Sequence, residues 1–466
     1  MIHKVKTTVW LLHHARRLLP SGKSSRERIL LCDPIFHPEK AFSFCALFSI
    51  LRLCGELQAQ PLFLYEKRKN IKELGWYRLL AGIHTTSVED ILRGIPPDES
   101  RQPSSLAAVY NYKIRSLPIG RCLWDECIWN KKSTLRTPGE AKTEIGRAQA
   151  YFQATTRLLL QKNIVAGFFT HTTGVMSGVP LRILLRGGIP VYSSYGNLKA
   201  YKKYDYLNPK TGYLPPATAV SRDRLDTAMK IPGLLKKAKQ FKEKTFPLSP
   251  GNPKKPRWLV AMHAFSDTPN GSLQYIFKDY AEWIHFTIRQ LKKNRKVEWV
   301  IKTHPHRGHW PDDFDYAALK ETIRNEPHIS FWEEAWDVYK KPIGFNREFG
   351  QFGGVLSCGG TMAIQFYASG RAAVVCADNF FQELNLLPTG KSRAVYARLI
   401  QSISPSTPRP SKVKARKALL AYFLAYRHLP SLLVPENFSN WAAYTAEDYL
   451  RYLAKFRKAR SDLIFL

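Results

Sequence analysis

Short apolar runs alternate with helix-like patterns through both halves of the 466-residue chain. In the first half, strand-like runs cover residues 28–33, 61–66, 163–172 and 188–196. Helix-like patterns cover residues 41–53 and 178–188, and the second of these ends in a glycine pair that is typical of a helix C-terminus. Strands separated by helices form parallel sheets, because each crossover returns the chain to the same end of the sheet. The first half is therefore predicted to be a Rossmann-like α/β domain.

The same alternation begins again at Arg257, where "RWLVAM" opens the second half. Further strand-like runs cover residues 297–303, 328–332, 353–358 and 371–377, with helix-like patterns at 273–291, 316–325 and 361–370. Residues 201–256 are rich in Lys, Pro and Gly, and "PLSPGNPKKP" within them is typical of a linker. We therefore predict two Rossmann-like domains, over residues 1–250 and 251–435, and a helical tail over residues 436–466. Such domains are expected to face a cleft, with ligands at the carboxyl ends of the strands.

The charge of the chain is strongly positive, with 71 Lys and Arg against 37 Asp and Glu and a formal net charge of +34. This excess predicts a polyanionic neighbour, such as nucleic acid, an anionic membrane surface or a phosphorylated substrate. The sequence contains no recognisable nucleic-acid reader motif, so specific binding of nucleic acid is not expected. Basic clusters at residues 236–244, 412–417 and 455–460 are candidates for contact with an anionic membrane surface.

The cysteines and the apolar runs indicate the compartment. Seven cysteines without a CxxC pair argue against a disulfide framework or a cysteine-rich zinc site, and they fit a reducing cytosol. The longest apolar run, residues 41–54, is shorter than the roughly 20 residues of a membrane span and contains Arg52. The N-terminus lacks the cleavage pattern of a secretory signal. We therefore expect a cytoplasmic protein, with peripheral attachment to the inner face of the cytoplasmic membrane as an additional expectation.

Polar residues follow two strands of the second half, at the points where their carboxyl ends should meet. Lys302 and His304 end the strand-like run 297–303, and His263 and Ser266 follow the run that begins at Arg257. A lysine supplies a point charge for a phosphate, and a histidine can donate a hydrogen bond to a phosphoryl oxygen. The pattern predicts a phosphate site at this edge of the sheet.

A glycine turn after a third strand adds to the same predicted site. Gly359 and Gly360 join the run 353–358 to a helix-like pattern, and their backbone N–H groups, together with the helix N-terminus, can bind an anion. Ser357 and Thr361 flank the turn and can add hydroxyl donors. Two anion-binding edges from neighbouring strands of one sheet make the phosphate interpretation stronger than either edge alone.

A metal site is the competing interpretation of the histidines. His304, His306 and His309 form H-x-H-x-x-H, which resembles the H-x-H-x-D-H motif of metallo-β-lactamase-type hydrolases. Gly308 occupies the aspartate position of that motif, so its second-metal carboxylate is missing. We therefore predict no metal site, and a metal-dependent hydrolase that uses the three histidines is retained as the alternative.

The motifs of the second half resemble those of bacterial capsule and surface-polysaccharide biosynthesis proteins, which are GT-B-fold glycosyltransferases related to the Kdo and sialic acid transferases. The resemblance rests on "HAFSD", "DYAEWIHFTI", K-x-H-P and "S-x-G-G-T…ASGRAAVV" within residues 258–377, and on the segment 170–192. It implies transfer of a sugar from a CMP- or NDP-activated donor to a growing surface polysaccharide or a lipid-linked glycan, without a cofactor. The second domain would bind the nucleotide sugar, and the first would lie on the acceptor side. A polyol-phosphate transferase of the teichoic-acid type shares the fold and is a further alternative.

The resemblance also implies roles for individual residues. His304 would contact the donor phosphate, and the serine and glycine-threonine turn would hold that phosphate from the other side. Gln365 stands where many such enzymes carry a glutamate that binds the donor ribose. An inverting enzyme needs a base for the acceptor hydroxyl. The candidates follow strands of the first half: Asp33, which we prefer, Glu66 and His171.

Overall fold

The structure is a computed structural model, and its described residues form two compact units. The described residues are 27–33, 50–51, 53–67, 84–96, 102–194, 201–210, 212, 214, 220–246, 256–267, 270, 276–304, 312–332, 347–377, 381 and 384–427. The first unit contains those up to Glu126 and those from Leu135 to Leu214, and the second contains Cys127–Thr134 and those between Pro215 and His428.

The first unit is built on a six-stranded sheet and a two-stranded ribbon. The strands are β1 (Arg28–Cys32), β2 (Gln60–Tyr65), β3 (His84–Ser87), β4 (Lys113–Ile114), β5 (Leu117–Pro118), β6 (Asn163–Phe169), β7 (Val191–Ser194) and β8 (Tyr201–Tyr204). The sheet order is β3-β2-β1-β6-β7-β8, and all pairs are parallel except that of β7 with β8. The five parallel strands have the doubly wound order of a Rossmann half.

Helices of the first unit cover the sheet through apolar faces. They are α1 (Val88–Ile91), α2 (Leu106–Tyr110), α3 (Gly120–Lys131), α4 (Lys142–Gln161) and α5 (Val175–Arg186). The residues of α3 from Cys127 onward are grouped with the second unit. In α4 the buried residues include Ile145, Ala148 and Phe152, whose spacing of three and four places them on one face. Helix α5 is buried along most of its length and ends at Gly187.

The second unit repeats the same strand order. Its strands are β9 (Arg257–Ala261), β10 (Glu298–Lys302), β11 (Ile329–Trp332), β12 (Phe352–Ser357) and β13 (Ala372–Val375). Its helices are α6 (Arg222–Met229), α7 (Leu234–Thr245), α8 (Tyr280–Leu291), α9 (Tyr316–Ile323), α10 (Thr361–Ala368), α11 (Arg393–Ser402) and α12 (Lys412–Arg427). The sheet order β11-β10-β9-β12-β13 is parallel throughout. The predicted α/β fold with two Rossmann-like sheets is confirmed.

The two faces of the second sheet pack against different apolar clusters. Leu259, Val300 and Val355 belong to one cluster together with residues of α10 and α12. The alternate residues Trp258, Trp299 and Leu356 belong to the other cluster, with α8 and α9. Successive side chains of a strand point to opposite faces, so each strand contributes to both layers. This explains why these strands read as continuous apolar runs.

Strand β12 contains one irregularity that decides which way its end faces. Phe352 pairs with Arg257 and Gly354 pairs with Trp258, so Gly353 is an extra residue in the strand. Phe352 packs in the same cluster as Val355, three positions later, because the extra residue reverses the alternation. Beyond it, odd-numbered residues of β12 face the side of the sheet covered by α10.

The structure divides the chain earlier than the predicted residue 250. The helices α6 and α7 precede that position but belong to the second unit, because Leu225, Ala238 and Phe246 are buried in the cluster that also contains α10 and α12. The predicted tail, residues 436–466, lies outside the described residues. The predicted cleft between the domains stays a prediction.

Candidate functional site

Each sheet has a point where the direction of winding reverses. In the first sheet β1 lies between β2 and β6, and in the second sheet β9 lies between β10 and β12. The connections leave such a pair of neighbouring strands toward opposite faces of the sheet, which opens a crevice at their carboxyl ends where ligands bind. The two candidate sites are therefore the strand ends of β1 with β6 and of β9 with β12.

Three strand ends of the second sheet are aligned at the same level. Ala261 pairs with Lys302 on one side and with Ser357 on the other. Paired residues of adjacent strands point to the same face, and adjacent strands lie about 4.8 Å apart. The side chains of Lys302 and Ser357 thus leave the sheet on the face covered by α10, roughly 10 Å apart at their backbones.

Lys302 is a buried cation at the end of β10, with only 2% of its surface exposed. Its Nζ atom lies 5.3 Å from the ring centroid of Trp332 and 5.9 Å from that of Phe349. It also donates a long hydrogen bond of 3.4 Å to the carbonyl oxygen of Thr303. Aromatic faces stabilise a cation through the ring quadrupole. A positive charge is thus held below the surface, directly at the predicted phosphate site.

Ser357 organises the glycine turn that leads into α10. Its Oγ atom accepts hydrogen bonds from the backbone N–H groups of Gly360, at 3.1 Å, and Gly359, at 3.5 Å. The hydroxyl hydrogen of Ser357 remains able to donate to a ligand, because the oxygen is the acceptor in both bonds. Gly360 is the N-cap of α10, and as a glycine it has no side chain of its own that could cap the helix. Thr361 follows as its first residue and is half-buried.

Two histidines from neighbouring strands stack at the same edge. The ring of His263, which follows β9, lies 4.4 Å from the ring of Tyr280 and 5.3 Å from the ring of His304, which follows β10. The Nδ1 atom of His263 is 3.5 Å from a carboxylate oxygen of Asp267 and makes no hydrogen bond among the described residues. The structure thus brings together the two imidazoles that the sequence placed on separate strands.

Ser266 carries a buried hydroxyl without a partner. The residue is fully buried, and its Oγ atom has no hydrogen-bond partner among the described residues. An unsatisfied buried hydroxyl costs about 1–3 kcal/mol, so such groups are rare unless a ligand or water completes them. Its loop follows β9, the strand next to β12, which leads into the glycine turn. Burial and the charge of Asp267 in this loop raise the pKa of Cys358, next to Gly359, to about 12.

Gln365 takes a different position from the other predicted ligands. It is 6% exposed, and its Nε2 atom donates a hydrogen bond of 2.8 Å to the hydroxyl of Tyr422 in α12. The side-chain amide thus ties α10 to α12, and this bond accounts for its burial. The role that the resemblance implied for it, binding of the donor ribose, stays a prediction.

The histidine cluster of the metal alternative is only partly described. His304 is half-buried at the end of β10, whereas His306 and His309 lie outside the described residues. No group of three His, Cys, Asp or Glu residues with a geometry suited to a metal ion occurs in the part of the chain that the structure describes.

Asp33 occupies the equivalent strand end in the first sheet. It follows β1 and is 1% exposed. Its carboxylate accepts hydrogen bonds from the backbone N–H of Thr170 at 3.0 Å, from the Thr170 hydroxyl at 2.7 Å and from the Ser177 hydroxyl at 2.5 Å. Burial raises the pKa of Asp33 from 3.8 to about 6, against the opposing effect of these hydrogen bonds. A carboxyl group with this pKa is ionised at pH 7 and can accept a proton.

His171 lies beside this carboxyl group but is exposed. Its Nδ1 atom is 3.1 Å from the hydroxyl of Thr170, which also donates to Asp33. Two of the three candidate bases, Asp33 and His171, are therefore linked through one threonine side chain at the end of β6.

A carboxylate cluster next to this strand end was missed by the sequence reasoning. Arg147 of α4 binds Glu66 at 2.8 Å, Glu126 at 2.7 Å and also Glu144. The other oxygen of Glu126 accepts a hydrogen bond of 3.0 Å from the backbone N–H of Val175 at the start of α5. Glu66, one of the candidate bases, is thus engaged with an arginine. Its partner is 81 positions away in sequence, so no local signal indicates the contact.

Glycine at position 174 is required by this arrangement. Gly174 has a φ of +76° and would place a Cβ atom 2.8 Å from a carboxylate oxygen of Glu126. A glycine is favoured at such a φ because it has no Cβ atom. The carboxylate can therefore approach the N-terminus of α5 and cap it.

The N-termini of α5 and α10, at the two reversal points, are surrounded by side chains of different charge. That of α5 is already satisfied by Glu126, a carboxylate of the chain itself, and Asp33 lies nearby. That of α10 follows a glycine turn and shares its edge with Lys302 and two histidines. An anionic ligand is therefore favoured in the second unit and disfavoured at the end of β1.

Comparisons with known proteins give weak similarities. No family model and no curated protein matches the chain. Among solved structures, KpsC β-Kdo 2,7-transferase of Thermosulfurimonas dismutans is 13% identical, with 66% of this chain and 89% of that chain covered and a TM-score of 0.33. A UDP-GlcNAc 2-epimerase from Neisseria meningitidis is 10% identical, with 86% and 97% covered and a TM-score of 0.27.

A Kdo transferase, the class named by the sequence resemblance, is thus among the similar structures. At these identities and TM-scores the similarity carries no statement about activity. The fold assignment rests on the strand order of the chain, and the functional assignment rests on its own residues. In the described part of the chain, no helix combines the length and the apolar character needed to cross a membrane.

Proposed function

We propose that the chain is a glycosyltransferase that moves a sugar from a nucleotide-activated donor to a glycan acceptor. The second unit would hold the phosphate of the donor at the ends of β9, β10 and β12. The acceptor we propose is a growing surface polysaccharide or a lipid-linked glycan, reached at an anionic membrane surface.

The observation that carries this proposal is the set of anion-binding groups at one sheet edge. Lys302 and Ser357 are level with each other across β9, and the glycine turn opens α10 directly after Ser357. His263 and His304 stack at the same edge, and the hydroxyl of Ser266 is buried there without a partner among the described residues. A phosphate can accept hydrogen bonds from donors of each of these kinds, and the positive charge of the lysine favours an anionic ligand at this edge.

The chemistry follows from where charge develops. The bond between the anomeric carbon of the sugar and the phosphate oxygen breaks, and its electron pair stays on the departing nucleotide. A bond from the acceptor oxygen to the anomeric carbon forms, and the acceptor hydroxyl loses its proton. Donors that already point at the departing phosphate stabilise the new charge without reorganising, and this stabilisation is often the main source of an enzyme's rate enhancement. We assign this role to Lys302, His304 and the N-terminus of α10.

Asp33 is the base that we propose for the acceptor proton. Its raised pKa of about 6 leaves it ionised at pH 7 but closer to the operating pH than an ordinary aspartate. Hydroxyl donors from Thr170 and Ser177 fix the orientation of the carboxylate. Asp33 would therefore need to exchange one of these hydrogen bonds for one from the acceptor.

The direct test is a thermal-unfolding panel with CMP, CDP, UDP, GDP and TDP. A nucleotide present at about 100 times its dissociation constant adds ~2.7 kcal/mol to the stability of the folded state. For a unit of this size that corresponds to a rise of roughly 5–10 °C in melting temperature. We expect one nucleotide to produce this rise, and His304→Ala and Lys302→Met to abolish it.

The matched control is His84→Ala, which removes an exposed histidine on β3 and should leave the rise intact. Absence of a shift with every nucleotide would overturn the proposal. Stoichiometric zinc in the purified chain, lost in His304→Ala, would favour the metal-dependent hydrolase instead.

A further inference from the structure

Two basic segments that are far apart in sequence belong to helices that pack together. Phe241 of α7 contacts the rings of Tyr422 and Phe423 of α12, with centroid distances of 5.8 and 5.6 Å. Phe246, directly after α7, adds an edge contact of 4.7 Å to Tyr422. Helix α7 contains five lysines and one glutamate, and α12 contains five basic residues and no acidic one. The aromatic contacts therefore join two strongly positive helices.

Six basic side chains of the two helices point to solvent. In α7, Lys236, Lys237 and Lys239 are exposed, whereas Ala238 is fully buried against the core. In α12, the first turns are exposed and the residues from Ala418 to Ala425 are buried. We call the six exposed residues the basic face: Lys236, Lys237, Lys239, Lys412, Lys414 and Arg416.

Positive charge is also crowded between the two helices. Burial and the nearby charge of Arg371 lower the pKa of Lys242 in α7. Burial and the nearby charge of Arg409 lower the pKa of Arg371. Arg409 lies three residues before α12. The charge of Arg371 therefore interacts both with Lys242 of α7 and with a basic residue that leads into α12. The acidic residues of the described helices α6, α7 and α12 are Asp223, Asp226 and Glu243, and Asp226 already binds Lys417 at 2.9 Å.

The placement of these charges does not serve the stability of α12. Ser411 caps the helix through a hydrogen bond of 3.3 Å from the backbone N–H of Lys414. Lys412 and Lys414 then put two cations into the first turn, where the helix dipole is already positive and disfavours them. An external anionic surface would turn this unfavourable arrangement into a favourable one.

Exposed apolar side chains occur on α12 and on α6, whose Asp226 binds Lys417 of α12. Val413, between Lys412 and Lys414, is 57% exposed, and Met229 at the end of α6 is 36% exposed. Lysines interleaved with exposed apolar side chains are typical of surfaces that lie in the headgroup region of a bilayer. Surfaces that bind specific nucleic-acid sequences instead combine basic residues with readers of bases, and no such reader is recognisable in the described part of this chain.

We propose that the basic face binds the surface of an anionic phospholipid bilayer. This deepens the proposed function, because a lipid-linked acceptor lies at such a surface. The binding itself requires no nucleotide and no acceptor, so it can be measured separately.

The test is co-sedimentation of the full chain with vesicles of phosphatidylcholine alone and with added phosphatidylglycerol. Binding should require the anionic lipid and should weaken as salt is raised, because the charges are exposed and screened. Each lysine near such a surface contributes about fivefold to partitioning. Lys236→Gln/Lys239→Gln and Lys412→Gln/Lys414→Gln should therefore each weaken binding roughly 25-fold, and the fourfold variant should lose it.

The control variant Lys162→Gln/Lys293→Gln/Lys391→Gln removes three exposed lysines outside the basic face and should retain binding within severalfold. No variant should melt below the wild type, and Lys412→Gln/Lys414→Gln should melt slightly above it because it removes two cations from the first turn of α12. All variants should keep the melting-temperature shift with the nucleotide that binds the wild type. A nucleotide shift without vesicle binding refutes the basic face alone, and vesicle binding without any nucleotide shift refutes the transferase alone.

Two further results would overturn the membrane assignment. Equal binding to vesicles by the control and the α7 variant would show that the surface is not formed by both helices. Binding to a soluble polyanion, such as heparin or an RNA homopolymer, without partitioning onto vesicles would identify a different class of partner.

Discussion

The burial of Asp33 should make the folded chain less stable as the pH rises from about 4 to about 7. The pKa of this group is about 6 in the folded chain and 3.8 in its ordinary state. Between these values the unfolded chain has released the proton and the folded chain retains it. Stability falls with pH wherever the folded state binds more protons. The contribution is fully present below the unfolded pKa of 3.8 and is lost as the pH rises through the folded value of about 6.

The size of the effect follows from the two pKa values. They differ by about two pH units, which corresponds to ~3 kcal/mol of unfolding free energy. Urea unfolding of the wild type and of Asp33→Asn, measured across this range, isolates the contribution because all other groups are shared. The unfolding free energy of the wild type, taken relative to Asp33→Asn, should decrease by ~2.4 kcal/mol between about pH 4 and about pH 7, because part of the contribution is already lost at pH 4.

Asp223→Asn removes an exposed carboxylate from α6 and serves as the comparison for a group in solvent. A difference between wild type and Asp33→Asn that does not change with pH would refute the reasoning, because it would mean that burial does not favour the protonated form. The same titration should appear in catalysis. Transferase activity that depends on Asp33 should fall on the acid side of about pH 6, where the proposed base is protonated.

Two further predictions concern the core of the second unit. Gly354→Ala would place a Cβ atom 2.6 Å from the buried ring of Trp258 and should destabilise the unit by about 1–3 kcal/mol in urea unfolding. Gly353→Ala meets nothing closer than 3.8 Å and should change stability by less than about 1 kcal/mol, so equal effects of the two changes would contradict this packing. Tyr396→Phe removes the acceptor of the 3.0 Å hydrogen bond from the indole N–H of Trp283 and should cost about 1–3 kcal/mol. An unchanged midpoint of unfolding would show that water replaces that hydroxyl.

The central strands of both sheets and the edge strands β11 and β13 of the second could be predicted from sequence, whereas the edge strands β3 and β8 of the first could not. β1, β6, β9 and β12 are buried on both faces, so their runs are almost entirely apolar. The edge strands β3 and β8 of the first sheet read HTTS and YKKY, so neither has the apolar run of a strand that is buried on both faces. Helices α6 and α7 read as part of a linker, since their many charged residues outnumber the few apolar ones that reach the core.

The second candidate site could be outlined from sequence because each member follows a recognisable strand. Lys302, His304 and Ser357 come together as soon as the strands are ordered in the sheet. The pairing of Glu66 with Arg147 had no such signal, because α4 brings the arginine from a distant part of the chain. The contact of Gln365 with Tyr422 could not be predicted either, because α12 lies outside the strand-helix alternation and the sequence does not indicate where it packs.

The extra residue Gly353 makes the direction of the Ser357 side chain depend on the length of β12. Because it resets the phase of β12, Ser357 emerges on the same side as Lys302 while Phe352 still reaches the apolar layer. A one-residue deletion there would force a choice between the two. Either the phenyl group would leave its layer, or the serine would turn away from the lysine. Among related chains, the length of this strand should therefore be as constrained as the identity of its terminal serine.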